Sequence, residues 1–105
     1  VGIDIEQYGT RVRKVASRFI RPDEEPAMME GDEIYALLLH WSAKEALFKL
    51  MGVEEVDFIR HLRIFPFSLS EEGEFEACEY RTARQECYRV RYVTHPDFVL
   101  TWVIK

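Results

Sequence analysis

Apolar and polar residues alternate along VGIDIE, the first six positions of the chain. The odd positions are apolar and the even positions are glycine or acidic: Val1, Ile3 and Ile5 against Gly2, Asp4 and Glu6. Successive side chains of a strand point to opposite faces of the sheet. The pattern therefore predicts a half-buried strand that carries both acids on the face opposite the three apolar residues.

After a loop marked by Gly9, apolar residues recur at helical spacing over residues 12–20. This spacing predicts a helix, which Pro22 ends because the residue before a proline disfavours helical geometry. Asp23 is a candidate cap for a further short turn that Gly31 would end.

The clearest pattern runs from Asp32, a good N-cap, to Gly52, a natural C-terminal stop. The residues between them include no glycine or proline and are apolar around most of the helix circumference. We therefore expect a long and largely buried helix.

Beyond Asp57 the chain becomes a series of strand candidates separated by turn-rich pieces: HLRIFPF, EFEACEY, CYRVRYV and FVLTWVI. One antiparallel register of the middle two aligns two opposite-charge pairs and two apolar pairs. These pairs are Glu76 with Arg89, Glu74 with Arg91, Ala77 with Tyr88 and Phe75 with Val90. The same register places Cys78 opposite Cys87, which we expect to remain reduced thiols in a cytosolic protein. A strand, then helices, then antiparallel strands predicts an α+β fold in which a long helix packs on a small antiparallel sheet.

Composition narrows the class of protein. A chain of 105 residues, of which 48% are hydrophobic and 13% aromatic, predicts one folded domain over residues 1–105. A net charge of −5 argues against a general nucleic-acid-binding surface, and no apolar stretch is long enough to span a membrane. We expect a cytoplasmic protein. Basic residues cluster locally, as either a solvated helix face or a docking site for an acidic partner: Arg11, Arg13, Lys14, Arg18 and Arg21.

Two carboxylates on one strand face, as predicted for Asp4 and Glu6, repel each other unless positive charge lies between them. Magnesium is a good partner for such a pair because it prefers oxygen ligands and retains waters that a phosphate-bearing substrate can replace. The alternative is an exposed acidic face at a sheet edge.

A second candidate stretch is WSAKEALFK, residues 41–49. Trp41, Glu45 and Lys49 follow one another at i, i+4 and i+8 on one side of the helix, with Lys44 beside them. The simpler interpretation is a helix-stabilising Glu45–Lys49 pair next to a core tryptophan. Taken with the strand acids, Glu45 completes a set of three carboxylates for one magnesium ion, and the lysines are suited to phosphate oxygens. That combination is typical of phosphoryl-group chemistry.

VGIDIE, the basic segment ending in RFI, and WSAKEALFKLMG together resemble the 4'-phosphopantetheinyl transferase superfamily. The resemblance covers residues 1–52 by motif and the remainder by its strand-rich character. It implies an enzyme that transfers 4'-phosphopantetheine from coenzyme A to a serine of an acyl or peptidyl carrier protein, releasing adenosine 3',5'-bisphosphate. Coenzyme A and the carrier protein would be its partners, and the acidic carrier would meet the basic cluster.

The resemblance also implies roles for individual residues. Asp4, Glu6 and Glu45 would hold Mg²⁺, and Glu45 would accept the serine proton. Lys49 would stabilise charge on the pyrophosphate as it breaks and, with Lys44, would bind coenzyme A. Trp41 would order the helix and its surroundings.

Within that superfamily, small holo-acyl-carrier-protein synthases form trimers, whereas peptide-synthetase-activating enzymes fuse two such domains into a pseudo-dimer. The tryptophan of WSAKE and the acid pair of GIDIE favour the second type, whose C-terminal half begins where this chain begins. We therefore expect the C-terminal half of a two-domain transferase, which needs an N-terminal half or self-association. The alternatives are a non-catalytic module that keeps the fold and docks a carrier or sister domain, and a small trimeric synthase.

Overall fold

The computed structural model describes residues 1–24 and 32–104. Within them the chain forms an α+β fold with a single antiparallel sheet and one long helix. The elements are β1 (Gly2–Gln7), α1 (Val12–Val15), α2 (Glu33–Met51), β2 (Leu62–Ile64), β3 (Glu72–Glu79), β4 (Cys87–His95) and β5 (Phe98–Val103). The turn predicted between Asp23 and Gly31 falls largely on residues 25–31, outside the described residues.

The sheet has the strand order β1-β5-β4-β3-β2, and every neighbouring pair is antiparallel. The first strand therefore lies at one edge, beside the last. Helix α2 packs across one face of the sheet and shares the core with it; this core includes Leu39, Ala43, Leu47, Val90 and Val103. Among the described residues, no helix has the length and apolarity needed to cross a bilayer.

Both predicted ends of the long helix are confirmed. The Asp32 side chain accepts a hydrogen bond from the backbone N–H of Ile34 at 2.7 Å, and Gly52 ends the helix in the left-handed region with φ of 63°. The predicted helix over residues 12–20 is shorter: α1 ends at Val15 and continues as a 3₁₀ turn, Ala16–Arg18. The chain leaves helical geometry at Phe19, because the ring is buried and the carbonyl accepts a hydrogen bond from Lys44.

The predicted register of the central hairpin is also confirmed. Glu74 lies opposite Arg91 and Phe75 lies opposite Val90. Glu74 bridges Arg91 at 3.6 Å and Arg89 at 3.5 Å. The four pairs of the hairpin that were predicted from charge and apolarity all occur in the β3–β4 ladder.

Two expectations for this half of the chain are corrected. The facing residues Cys78 and Cys87 are joined by a disulfide instead of remaining thiols. The first strand candidate, HLRIFPF, contributes only Leu62–Ile64 to the sheet. Pro66 lies beyond the last ladder position and has no N–H to donate.

Strand β1 is half buried, but its acid-bearing face is the one turned towards the helix. Asp4 is 6% exposed, whereas Ile3 and Ile5 are 53% and 59% exposed. The close approach of α2 depends on Gly2, since a Cβ atom there would lie 2.1 Å from the carbonyl oxygen of Ala46. The helix thus covers the face of β1 that begins with Gly2, which has no side chain to hold the helix away.

We expect Gly2→Ala to lower the free energy of unfolding by roughly 1–3 kcal/mol, because the added methyl group overlaps helix backbone that cannot rotate away. Thermal or urea denaturation measures the change. Gly9→Ala is the matched control, since a Cβ atom at Gly9 meets nothing within 4 Å. Equal midpoints for the two variants would show that α2 does not press on β1 as described.

Candidate active site

The two strand acids lie under the long helix. The main-chain oxygen of Asp4 accepts a hydrogen bond at 3.2 Å from Ser42, whose hydroxyl also lies 2.8 Å from that of Thr101. These contacts attach β1 to α2 and β5 beside the acid pair. The alternative of an exposed acidic face at the sheet edge does not describe Asp4, although β1 is an edge strand.

Helix α2 brings a cation and a third carboxylate to the same place. Lys49 donates at 3.0 Å to a side-chain oxygen of Asp4 and at 3.0 Å to the main-chain oxygen of Ile3. Glu45 lies one turn before Lys49 on the helix, close enough to Asp4 for the charge of Asp4 to raise its pKa. The structure therefore brings together four predicted site residues: Asp4, Glu6, Glu45 and Lys49.

Burial and repulsion between neighbouring carboxylates raise the pKa of two acids in this cluster, Glu6 and Glu45. Partial burial, with the hydrogen bond and charge of Asp4 and the charge of Glu45, raises the pKa of Glu6 to about 8, although a hydrogen bond from Trp41 acts in the opposite direction. Burial and the charge of Asp4 also raise the pKa of Glu45, while Lys49 opposes that rise. One lysine is therefore not enough to neutralise three carboxylates.

Trp41 forms the wall of the cluster. Its ring packs against Phe19 at 5.1 Å and Phe58 at 5.5 Å between centroids, and its indole shares a hydrogen bond with Glu6. These contacts fit the sequence-based expectation that Trp41 orders the helix and its surroundings. The link to Glu6 was not predicted, because a tryptophan at helical spacing looks like ordinary core.

The chemistry of the cluster fits a hard divalent cation. Its three side chains offer only carboxylate oxygens, and Oδ2 of Asp4 is buried with no hydrogen-bond partner among residues 1–24 and 32–104. Ionised Glu6 and Glu45 have no proton to donate to this oxygen. It gains a partner when Glu6 is protonated and donates a hydrogen bond, or when a cation binds. In the described part of the chain, no three His, Cys, Asp or Glu side chains converge closely enough to enclose a metal ion as they stand. Binding would require the carboxylates to draw together.

Lys44 lies apart from this cluster. Its side chain is 0% exposed, forms an ion pair with Glu24 at 2.8 Å and donates to the carbonyl oxygens of Phe19 and Phe58. All three N–H directions of the ammonium group are thus occupied inside the protein. The predicted role of Lys44 in binding coenzyme A does not fit this placement, and we do not include Lys44 in the site.

The basic cluster divides in a similar way. Arg11, Arg13, Lys14 and Arg18 are exposed. Arg21 instead donates to Asp23 and to the carbonyl oxygens of residues 59 and 60. Four of the five cations therefore remain accessible to a partner.

Two contacts that support the site could not be located from the sequence. Ser42 secures the acid-bearing strand, and the only signal for it is a hydroxyl within an otherwise apolar stretch of helix. Glu24 neutralises Lys44 across 20 residues of chain. No local sequence pattern predicts that pair. A lysine on a helix that is apolar around most of its circumference does indicate that a buried acidic or polar partner is needed.

The raised pKa of Glu6 predicts how stability depends on pH. The folded protein holds this proton up to about pH 8, whereas the unfolded chain loses it near the ordinary value of 4.5. The contribution of Glu6 to stability therefore decreases as the pH rises between these two values. We expect the metal-free Glu6→Gln variant to match the wild type at pH 4.5 and to melt at a higher temperature above pH 8.

Thermal melts from pH 4.5 to 8.5, with and without millimolar Mg²⁺, test this expectation. Magnesium should raise the wild-type melting temperature at high pH and have less effect on Glu6→Gln. Glu72→Gln, on the exposed side of β3, is the control and should follow the wild type. Parallel curves for Glu6→Gln and the wild type would contradict the placement of Glu6 in an acid cluster.

Three comparisons with known proteins gave one match. Neither curated protein sequences nor solved structures gave a significant match. A family model described as the 4'-phosphopantetheinyl transferase superfamily matches residues 1–103, which is nearly the whole chain. The match includes the strand that carries Asp4 and Glu6 and the helix that carries Glu45 and Lys49. The chain belongs to the 4'-phosphopantetheinyl transferase superfamily.

Proposed function

We propose that this protein transfers 4'-phosphopantetheine from coenzyme A to a serine hydroxyl of an acyl or peptidyl carrier protein, with Mg²⁺ as cofactor. Membership of the superfamily supports the reaction class. The observation that carries the assignment to these residues is the cluster itself, in which three partly buried carboxylates and Lys49 meet beside an unsatisfied oxygen of Asp4.

The proposed reaction is a substitution at phosphorus. The serine oxygen forms a bond to the phosphorus atom that bears the pantetheine arm. The bond from that phosphorus to the oxygen bridging towards the adenosine breaks, and its electron pair leaves with adenosine 3',5'-bisphosphate. We assign the serine proton to Glu45, directly or through a water molecule, because a carboxylate with a raised pKa is a better general base.

The other residues act by charge and position. Asp4, Glu6 and Glu45 would hold Mg²⁺, which supplies neutralisation of the diphosphate charge. Lys49 is half exposed, and its ammonium lies at the edge of the cluster. From there it exchanges its contact with Asp4 for a diphosphate oxygen and stabilises the charge that grows on the leaving group.

A second domain is part of the proposal. In the cross-strand pairs on the outer face of the sheet, Ile3 faces Trp102 and Ile5 faces Leu100. Ile104, which is 73% exposed, lies beside Trp102. Contiguous exposed apolar side chains of this kind mark interaction surfaces. We assign this face to an N-terminal sister half or, without one, to a second copy of the chain. The exposed cations Arg13, Lys14 and Arg18 would face an acidic carrier protein.

We expect Glu45→Gln to reduce transfer by about 100-fold or more while leaving the melting temperature close to that of the wild type, since the amide cannot accept the proton. The rate of carrier modification is measured under conditions in which the wild-type chain is active. Glu54→Gln, on the exposed loop after α2, is the matched control. Activity of Glu45→Gln within a few-fold of wild type would remove Glu45 from the mechanism.

We also expect the isolated chain to depend on a partner. One ammonium group, that of Lys49, cannot neutralise both the diphosphate and the 3'-phosphate of coenzyme A. The sequence also has no Ser-His dipeptide, which the resemblance to peptide-synthetase-activating enzymes assigns to an N-terminal half. Specific activity should therefore rise with protein concentration or on addition of a sister half. Transfer assays are combined with light scattering to record the mass of the active species. Efficient turnover by a dilute monomer would contradict this part of the proposal.

A further inference from the structure

The disulfide between Cys78 and Cys87 takes no part in the chemistry proposed above. The two cysteines form the last pair of the β3–β4 ladder, just before the hairpin opens into its loop. The next pair is hydrogen-bonded, since the N–H of Glu79 donates to the carbonyl oxygen of Glu86 at 2.9 Å. Bonded and non-bonded pairs alternate along an antiparallel ladder, so the cysteines form a non-hydrogen-bonded pair, in which facing side chains lie closest. Strand pairing therefore keeps the two sulfurs facing each other whether or not they are joined.

The two cysteines differ in their access to solvent. Cys78 is 2% exposed, whereas Cys87 is exposed at the start of β4. Thiol–disulfide exchange begins when a thiolate attacks one sulfur of a disulfide, so it needs a sulfur that the thiolate can reach. Cys87 offers that sulfur, and Cys78 is then the leaving group.

A cation lies on the other side of Cys78. Arg63 of β2 pairs with Cys78 in the β2–β3 ladder, and directly paired residues project from the same face of a sheet. The guanidinium of Arg63 packs over the ring of Phe65 at 4.5 Å, and its Nε lies 3.6 Å from a carboxylate oxygen of Asp23. This Nε is buried and has no hydrogen-bond partner among the residues that the structure describes. A cation beside a cysteine favours the thiolate form, and the better-stabilised thiolate leaves faster.

We infer that Cys78 and Cys87 form a redox-active pair that exchanges with dithiol reductants through Cys87. A thiolate of the reductant bonds to the sulfur of Cys87, the bond between the two cysteines breaks, and Cys78 leaves as a thiolate with the electron pair. The second thiolate of the reductant then attacks the reductant's own sulfur in the mixed disulfide and releases Cys87 as a thiolate. The protein gains two electrons, the reductant is oxidised to its own disulfide, and its two protons pass through water to the cysteine thiolates.

Reduction should leave the protein folded, because the hairpin loop has an anchor of its own. The carboxylate of Glu79 is buried and accepts hydrogen bonds from the N–H and hydroxyl of Thr82 and from the N–H of Glu86. These bonds lie within the loop and do not involve either sulfur. The thiols expected from the sequence and the disulfide in the structure are therefore two states of one folded protein.

The change on reduction is expected at the end of the hairpin. There the N–H of Tyr80 donates to the carbonyl oxygen of His61 at 2.7 Å, and Nε of Arg81 donates to that of Glu55 at 3.4 Å. Without the disulfide, the chain between residues 78 and 87 is no longer closed into a loop and its open states become more accessible. We expect hydrogen exchange at the amides of Glu79 and Tyr80 to become about tenfold faster or more on reduction, with exchange in the centre of α2 unchanged.

The decisive measurement is the rate at which the folded chain is reduced. The oxidised protein is incubated with dithiothreitol without denaturant, and free thiols are alkylated and counted by mass spectrometry over time. The comparison sample is Gly2→Ala, which is expected to raise the unfolded fraction about fivefold or more. Exchange through the folded state gives equal rates for the two proteins. Reduction that requires unfolding is faster in Gly2→Ala by the factor measured in denaturation, and this result would make the disulfide purely structural and overturn the inference.

Two further conditions keep the measurement decisive. Urea below the unfolding transition raises the unfolded fraction of the wild type by a known factor, so it repeats the comparison without a mutation. Treatment of the reduced, folded chain with the thiol oxidant diamide should restore the disulfide. Thiols that stay free at both positions would also overturn the inference.

Single-cysteine variants test which sulfur is attacked. Cys78→Ser retains the exposed thiol, and Cys87→Ser retains the buried one. With an aromatic disulfide that releases a coloured thiolate, we expect the thiol of Cys78→Ser to react about tenfold faster or more than that of Cys87→Ser. Equal rates would overturn the assignment of Cys87 as the point of attack.

The part played by Arg63 is tested separately. Arg63→Gln removes the charge opposite Cys78 and should slow reduction by about threefold or more, since the leaving sulfur loses its neighbouring cation. Arg91→Gln is the matched control, because Arg91 lies further along the same face of β4 and forms an ion pair with Glu74. An unchanged rate in Arg63→Gln would overturn the assignment of Arg63, and the wild-type measurement decides the main inference even where Arg63→Gln folds poorly. No readout here depends on transfer activity, so failure of the proposed function would leave the redox pair standing.

Discussion

The buried ion pair between Lys44 and Glu24 is the interaction on which the rest of the structure depends. Both side chains are 0% exposed, and Lys44 also donates to the carbonyl oxygens of Phe19 and Phe58. Glu24 in turn accepts from the backbone N–H groups of Arg21 and Ile64. Burial lowers the pKa of Lys44, and the charge of Glu24 opposes that effect. These bonds together offset the cost of removing two charged groups from water. Loss of one partner from a buried ion pair typically lowers the free energy of unfolding by about 3–5 kcal/mol.

Near the same helical stretch lies a second set of charges that the described residues do not fully compensate. Successive residues of a helix point about 100° apart, so Lys44 faces the core while Glu45 faces the edge of the sheet. Lys44 has a partner for each N–H direction, whereas Oδ2 of Asp4 has none in the part of the chain that the structure describes. The pKa values of Glu6 and Glu45 are raised. The charges of the core are paired internally, whereas the carboxylates beside Asp4 are only partly compensated by Lys49 among the described residues.

Local signals predicted much of the fold, and long-range packing accounts for what they missed. The ends of α2 follow from Asp32 and Gly52, and the β3–β4 register follows from side-chain pairing between neighbouring strands. Alternation in β1 distinguishes two faces but does not say which one is covered. That depends on Gly2, which allows the helix backbone to approach, and on Ser42 and Lys49, which bind the strand. The sequence placed Lys44 with the site because spacing on a helix does not reveal burial.

The two faces of β1 would link the proposed chemistry to the proposed assembly. Among the described strands, β1 lies at an edge and pairs with β5 alone, and its inner face carries acids that repel one another. Its outer face exposes Ile3 and Ile5, whose burial by a sister half would stabilise the strand from the side opposite the acids. A partner on the outer face therefore does not have to touch Asp4 or Glu6 to affect them. By fixing the strand that carries both acids, it would lower the cost of drawing the carboxylates around a cation, so that an ordered site and an assembled protein form together.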